Sequence, residues 1–168
     1  AMDDLGADLL LPISESELAV LVDEPQELAG RPWIGCGLTA LRGGLDKFDT
    51  AHWLKAMRLP APWTQRVSDG EPPELPCIMK PRYGSGSRGV FVLHDEVDLA
   101  YHSAKNPSSV YQELLEPADR EVTCAVYRTT DGRVGTIQLC RELVGGLTGW
   151  AKVLDDPEVR VLCATLAE

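Results

Sequence analysis

Positive charge is in short supply in this chain. Sixteen lysines and arginines stand against 26 aspartates and glutamates, a net charge of −10. A surface with that balance repels polyanions, so neither nucleic acid nor an anionic membrane is an expected partner. No apolar run approaches the ~20 residues of a membrane-spanning helix, and no signal-peptide pattern opens the sequence. A cytoplasmic protein is expected. The five cysteines, at 36, 77, 124, 140 and 163, are odd in number and include no C-x-x-C pair. That pattern predicts reduced, mostly buried thiols rather than a disulfide framework. His52, His94 and His102 lack the spacing of metal ligands. The absence of G-x-S-x-G removes support for serine hydrolysis, and the absence of H-R-D and D-F-G excludes a protein kinase.

What the chain does have is concentrated in the run from Cys77 to Val92, CIMKPRYGSGSRGVFV. An apolar strand delivers Lys80, a glycine-serine loop follows, and a second apolar strand follows the loop. Lysine offers a mobile point charge for phosphate oxygens. Glycines let backbone N–H groups approach an anion closely. Gly84, Gly86 and Gly89 also fit G-x-G-x-x-G, but a dinucleotide fingerprint requires a helix after the loop, and Val90-Phe91-Val92-Leu93 is β-prone. A phosphate-binding P-loop would need Lys-Ser or Lys-Thr after the last glycine, where Val90 stands. A plain hairpin with a flexible tip is the bland alternative.

The 168 residues, 44% of them hydrophobic, suffice for one core or two small lobes. Leu9-Leu10-Leu11 reads as a short buried strand ended by Pro12, and Pro32 to Gly35 as a second. Between them Ser14 and Glu17 form a capping box for a helix ending before Pro25 or near Leu28. Asp46 can cap a helix from Lys47 to Met57. The prolines of 59–64 require extended chain, and 68–76 reads as a loop. After the glycine loop, a helix is predicted over Asp95 to Ala104 and a strand over Val110 to Leu115. Glu121 to Tyr127 alternates, with Val122, Cys124 and Val126 on one face and Glu121, Thr123 and Tyr127 on the other. Asp131-Gly132 predicts a hairpin turn, Arg133 to Arg141 the return strand, and Pro157 to Glu168 an amphipathic helix.

These pieces, in this order, resemble the ATP-grasp superfamily, in particular its members related to the large chain of carbamoyl-phosphate synthase. The matching stretches are Leu10 to Leu18, Leu45-Asp46-Lys47-Phe48, Leu59-Pro60-Ala61-Pro62, the Lys80 run, and Gln112-Glu113 followed by Glu121-Val122-Thr123. The resemblance implies an α/β fold with an α+β lid. Its parts would be an amino-terminal α/β lobe over 1–66, the ATP-grasp lid over 67–141 and the start of the larger lobe over 142–168, most of the catalytic lobe being absent. ATP is the implied cofactor. Lys47 and Lys80 would reach its phosphates. Ser85, Gly86 and Ser87, within the Gly84 to Gly89 lid, would donate to the β- and γ-phosphates. Arg88 would add charge or only pack. Gln112 to Leu115 matches the hinge that holds adenine, with backbone groups of Glu113 and Leu115 pairing with the base. Glu121 would accept the ribose hydroxyls. Arg141 would touch phosphate or the acyl substrate, or close a strand-end salt bridge.

The family holds Mg²⁺ with an acidic residue and a later Glu-x-Asn pair. Asn106 is the only asparagine here and no Glu-x-Asn occurs. Magnesium is therefore expected only in a complete parent protein, and no metal ligands are assigned. The expected function is the ATP-binding portion of a ligase that activates a carboxylate as an acyl phosphate for attack by an amine or another nucleophile, the fragment itself being inactive. The alternative is a naturally short, non-catalytic nucleotide-binding or interaction module. The partners implied are ATP, a carboxylate and a nucleophile of unknown identity, and a second copy of the chain through uncovered apolar surface.

Overall fold

The computed structural model describes residues 6–24, 32–117, 120–145 and 147–168. The described chain divides into two compact units, Ala1–Glu113 and Leu114–Glu168.

The first unit opens with α1 (Glu15–Asp23). Its capping box forms as expected: Glu17 N donates to Ser14 Oγ at 3.3 Å, and Ser14 N donates to Glu17 Oε2 at 2.9 Å. The two flanking strands do not form. Leu10 and Trp33 make one isolated parallel bridge, and Leu9 and Leu11 are about half exposed rather than buried. Three leucines are too few to pair along their length when the following residue is proline, which lacks an N–H. Whether the helix pattern extends towards Leu28 falls outside the described residues. Next come α2 (Leu38–Leu45), which the sequence reading missed, and α3 (Lys47–Ala56). Two glycines inside α2 weaken its local propensity, and packing of Leu41 compensates.

The remainder of this unit is a four-stranded sheet: β1 (Thr64–Arg66), β2 (Cys77–Pro81), β3 (Phe91–Leu93) and β4 (Ser109–Glu113), in spatial order β1-β4-β2-β3. The helix α4 (Glu96–Lys105) links β3 to β4. Every pairing is antiparallel, and the register places Met79 opposite Tyr111 and Lys80 opposite Val110. Alternation along the strands then sorts the residues by face. Cys77, Met79, Leu93 and Tyr111 form the buried cluster, joined by Trp63, Val67, Leu75, Phe91 and Leu99. The Tyr111 hydroxyl is satisfied by Ser103 Oγ at 2.5 Å. The opposite face carries Thr64, Arg66, Ile78, Lys80, Val110 and Gln112. β4 stops at Glu113, two residues short of the strand expected from sequence, so Leu115 lies beyond the ladder and is exposed.

The second unit is a three-stranded antiparallel sheet with one helix. Its elements are β5 (Val122–Arg128), β6 (Val134–Val144), β7 (Leu147–Leu154) and α5 (Pro157–Ala167), with sheet order β5-β6-β7. The expected turn joins β5 to β6, with Gly132 at φ 88° supplying the left-handed residue. β6 runs past Arg141 to Val144, and β7 was not anticipated. The glycines of Gly145 and Gly149 obscure the period-2 pattern there. Buried Gln138 ties the sheet to α5: its Nε2 donates to Asp156 O and its Oε1 accepts from Asp156 N, both at 2.9 Å.

Candidate functional site

Two lysines, an arginine and the glycine loop converge on the polar side of the first unit. Lys47 begins α3, and Asp46 is its N-cap: Phe48 N donates to Asp46 Oδ1 at 2.9 Å. Asp46 is 2% exposed and also receives the Arg82 guanidinium, with Nε at 3.1 Å and Nη2 closer. One carboxylate therefore fixes both the start of α3 and the stem of the loop. Burial acts to raise the Asp46 carboxyl, but hydrogen bonds from Arg82, Tyr83 and Phe48 outweigh it and hold the group below its ordinary value. Arg82 also lies over the Phe48 ring, 5.5 Å from its centroid.

Lys47 closes the same junction. Its backbone N–H donates to Arg82 O at 3.0 Å, and its Nζ donates to Gly84 O at 2.5 Å and Arg82 O at 3.4 Å. Lys47, expected from sequence to reach phosphate, has its ammonium at the first glycine of the loop. Lys80 sits at the end of β2 on the polar face. Its Nζ donates to Gln112 Oε1 at 2.5 Å, and Gln112 Nε2 donates to Thr64 Oγ1 at 2.8 Å. Burial, and then the charge of Lys47, push the Lys80 ammonium below the usual lysine range. Among the described residues neither ammonium forms an ion pair; both are met only by neutral oxygens.

The loop itself is exposed from Gly84 to Val90. Gly84, Gly86 and Gly89 have φ of 103°, 71° and 67°, and Ser87 has 56°, so left-handed backbone recurs through it. Gly89 is further restricted, because a Cβ there would stand 3.2 Å from Pro81 Cγ. Ser85, Ser87 and Arg88 are exposed, and Arg88 makes no ion pair among the described residues. Glu113 is anchored to Trp63: its N–H donates to Trp63 O at 3.0 Å, and its Oε2 accepts from Trp63 N at 3.3 Å.

In the second unit Glu121 and Arg141 meet. Arg141 Nε donates to Glu121 Oε1 at 2.6 Å, and Arg141 N donates to Glu121 O at 3.0 Å. Of the three roles left open for Arg141, the strand-end salt bridge is the contact formed. Thr64 supports Gln112, and Asp46 is an ion-pair partner as well as a cap; neither role is legible in the sequence. No local signal links Asp46 to Arg82 or Thr64 to Gln112, because the partners are 36 and 48 residues apart. Among the described residues no three acidic, histidine or cysteine side chains come together to hold a metal ion.

Residues 45–149, more than half of the chain, match the family model of the ATP-grasp domain. The D-alanine–D-alanine ligase of Mycobacterium avium strain 104 is 32% identical over 136 residues. That match covers 73% of this chain and 36% of the enzyme, so the chain spans about a third of the length of that curated relative. The carboxyaminoimidazole ribonucleotide synthase of Aspergillus clavatus, solved in complex with ATP, superposes with a TM-score of 0.73 at 17% identity, over 96% of this chain and 46% of that one. The VanG D-Ala:D-Ser ligase of Enterococcus faecalis gives 0.66 at 20% identity, over 96% and 55%. At those identities the likeness is one of fold. The order of helices and two antiparallel sheets agrees with the family match: the chain belongs to the ATP-grasp domain family.

Proposed function

We propose that this chain is the ATP-binding portion of an ATP-grasp ligase that activates a carboxylate as an acyl phosphate for attack by an amine. One observation carries the phosphate side of this reading. The Lys47 and Lys80 ammonium groups are met only by neutral oxygens, those of Gly84 and Arg82 and of Gln112, and neither is offset by a carboxylate among the described residues. Burial, and then the charge of Lys47, lower the Lys80 pKa. A half-buried cation beside a second cation is costly unless an anion completes the site. The adjoining loop of glycine and serine can present backbone N–H groups and hydroxyls to that anion. A nucleotide triphosphate fits this charge and leaves the β- and γ-phosphates under Ser85, Gly86 and Ser87.

The remaining roles follow the family pattern. Gln112 holds Lys80, backbone groups of Glu113 and Leu115 meet the adenine edge, and Glu121 accepts the ribose hydroxyls. Arg88 adds charge at the lid. The relatives named for joining two D-alanines favour an amine nucleophile; a kinship of the Lys80 run with the large chain of carbamoyl-phosphate synthase is part of the proposal. Magnesium would supply charge neutralisation at the phosphates during transfer. The described residues do not assemble a donor set for it, so the roles assigned here are binding and orientation. A cytoplasmic setting and self-association through exposed apolar sheet surface belong to the same proposal.

Calorimetric titration of ATP into the 168-residue protein tests the reading. Lys80→Met should weaken ATP binding by about 10- to 100-fold, the loss of one charge-assisted hydrogen bond of roughly 1.5–3 kcal/mol. Its thermal midpoint should not fall, because the desolvated charge and its repulsion from Lys47 leave together. Equal ATP affinity in wild type and variant would remove Lys80 from the site.

A further inference from the structure

The Glu121–Arg141 pair is built asymmetrically. Both Nε and Nη2 of Arg141 reach the same oxygen, Glu121 Oε1. Among the described contacts Oε2 accepts no hydrogen bond. Arg141 is held in turn from β7, where its Nη1 lies 3.5 Å from Thr148 Oγ1. A β-bulge makes that contact available. The β6–β7 register pairs Glu142 with Trp150 and Leu143 with Thr148, so Gly149 is the extra residue. Without the bulge Thr148 would pair with Val144 and point to the other face of the sheet. A Cβ at Gly149 would lie 2.6 Å from Val144 Cγ2, so the bulge requires glycine there.

The face on which the pair sits is also informative. Gln138 turns towards α5, so the alternate residues Ile137, Leu139 and Arg141 face away from the helix. Val153, opposite Leu139, shares that open face, and Ile137 and Val153 are substantially exposed. A carboxylate oxygen left without a hydrogen bond, on the same sheet face as an uncovered apolar platform, suits a ligand with a flat apolar body and neighbouring hydroxyls, which is the description of a nucleoside.

We propose that Arg141 is a positioning residue. It occupies one oxygen of Glu121 so that the other is presented to a ribose hydroxyl, and it makes no contact with phosphate. The inference rests on the reading of Glu121 as the ribose acceptor. Arg141, braced by Thr148, thereby determines how strongly the site prefers a ribonucleotide over its deoxy counterpart.

The test is a set of titrations of the 168-residue protein with ATP, 2′-deoxy-ATP, 3′-deoxy-ATP and inorganic tripolyphosphate. Wild type should favour ATP over the weaker deoxy analogue by about tenfold, the scale of one hydrogen bond to a charged acceptor. Arg141→Met should cut that ratio to about threefold or less while leaving tripolyphosphate affinity unchanged, and Arg141→Lys should restore part of it. Glu121→Gln should do the same as Arg141→Met, and the double variant should go no further. If Arg141→Met weakens tripolyphosphate and all three nucleotides alike, Arg141 is a phosphate ligand and the proposal fails. If Glu121→Gln abolishes the preference but Arg141→Met keeps it, the positioning role fails while the ribose reading stands. If wild type shows no preference, or does not bind ATP, the underlying reading fails. Near-ultraviolet circular dichroism of each variant confirms that the sheet is intact.

Discussion

At Lys80 two unfavourable terms coincide, loss of water and the nearness of Lys47. The sign of the resulting pH dependence can be worked out. Because folding lowers the pKa of Lys80, its charge opposes folding at neutral pH, and that penalty is relieved only as pH rises through the lowered value towards the ordinary ~10.4 of lysine. A bound phosphate favours the charged form and raises the pKa again. We therefore expect ATP binding to take up protons at alkaline pH, and affinity to fall as pH rises through the lowered pKa. Titrations from neutral pH up to the ordinary lysine range, in two buffers of different ionisation enthalpy, would measure this. Proton release, or affinity that is flat across that range, would contradict a charged Lys80 at the phosphates.

At the scale of elements, the junction between α3 and the loop depends on Asp46. It caps α3 through Phe48 N and holds Arg82, whose carbonyl in turn accepts both nitrogens of Lys47. Removing the carboxylate strips a helix cap and leaves a partly buried guanidinium unpaired. Asp46→Ala should cost about 3 kcal/mol, read as a shift in the urea midpoint at unchanged slope. The carboxyl is held below the ordinary aspartate range, so its contribution is fully present above that range and lost as pH falls through the folded pKa. Wild type and Asp46→Ala should therefore converge in stability as pH falls through that lowered pKa. A gap that persists there would place the effect in packing rather than in charge.

At the scale of the whole molecule, the two units differ in how they are built. The buried cluster of Cys77, Met79, Leu93 and Tyr111 belongs entirely to the first unit, as do Leu21, Leu41 and Ala51. In the second unit Cys163 and Gln138 are buried, while Trp150, Val153, Tyr127 and Val144 are more than half exposed. Hydrophobic stabilisation scales with the apolar area removed from water, so the first unit has far more of it. We expect residues 1–113 expressed alone to unfold cooperatively and to keep the near-ultraviolet signal of Tyr111. Residues 114–168 alone should show no cooperative transition. A cooperative transition in the smaller piece, or none in the larger, would reverse this assignment of stability.

Much of this was legible from residue order alone, for reasons that are local. A capping serine with a glutamate three residues on, an aspartate before a helix, and Asp131-Gly132 between alternating strands each act within a few residues, and each formed as expected. The strand–lysine–glycine loop–strand run was legible because lysine and glycine have few other uses at that spacing. Leu9 to Leu11 misled because apolar content does not make a strand without a partner to pair with, and β7 was hidden because a bulged strand breaks its own alternation. The sequence by itself determined the family, and with it the residues that are proposed to meet the nucleotide. Only the tertiary structure decided that Asp46 fastens Arg82, that Gln112 and Thr64 hold Lys80, and that Arg141 turns to Glu121 rather than standing free. Those pairings join residues 20 to 48 apart in the chain; strand register brings Thr64, Lys80 and Gln112 together and sets Arg141 beside Glu121, while the packing of a helix start against the loop stem brings Asp46 to Arg82.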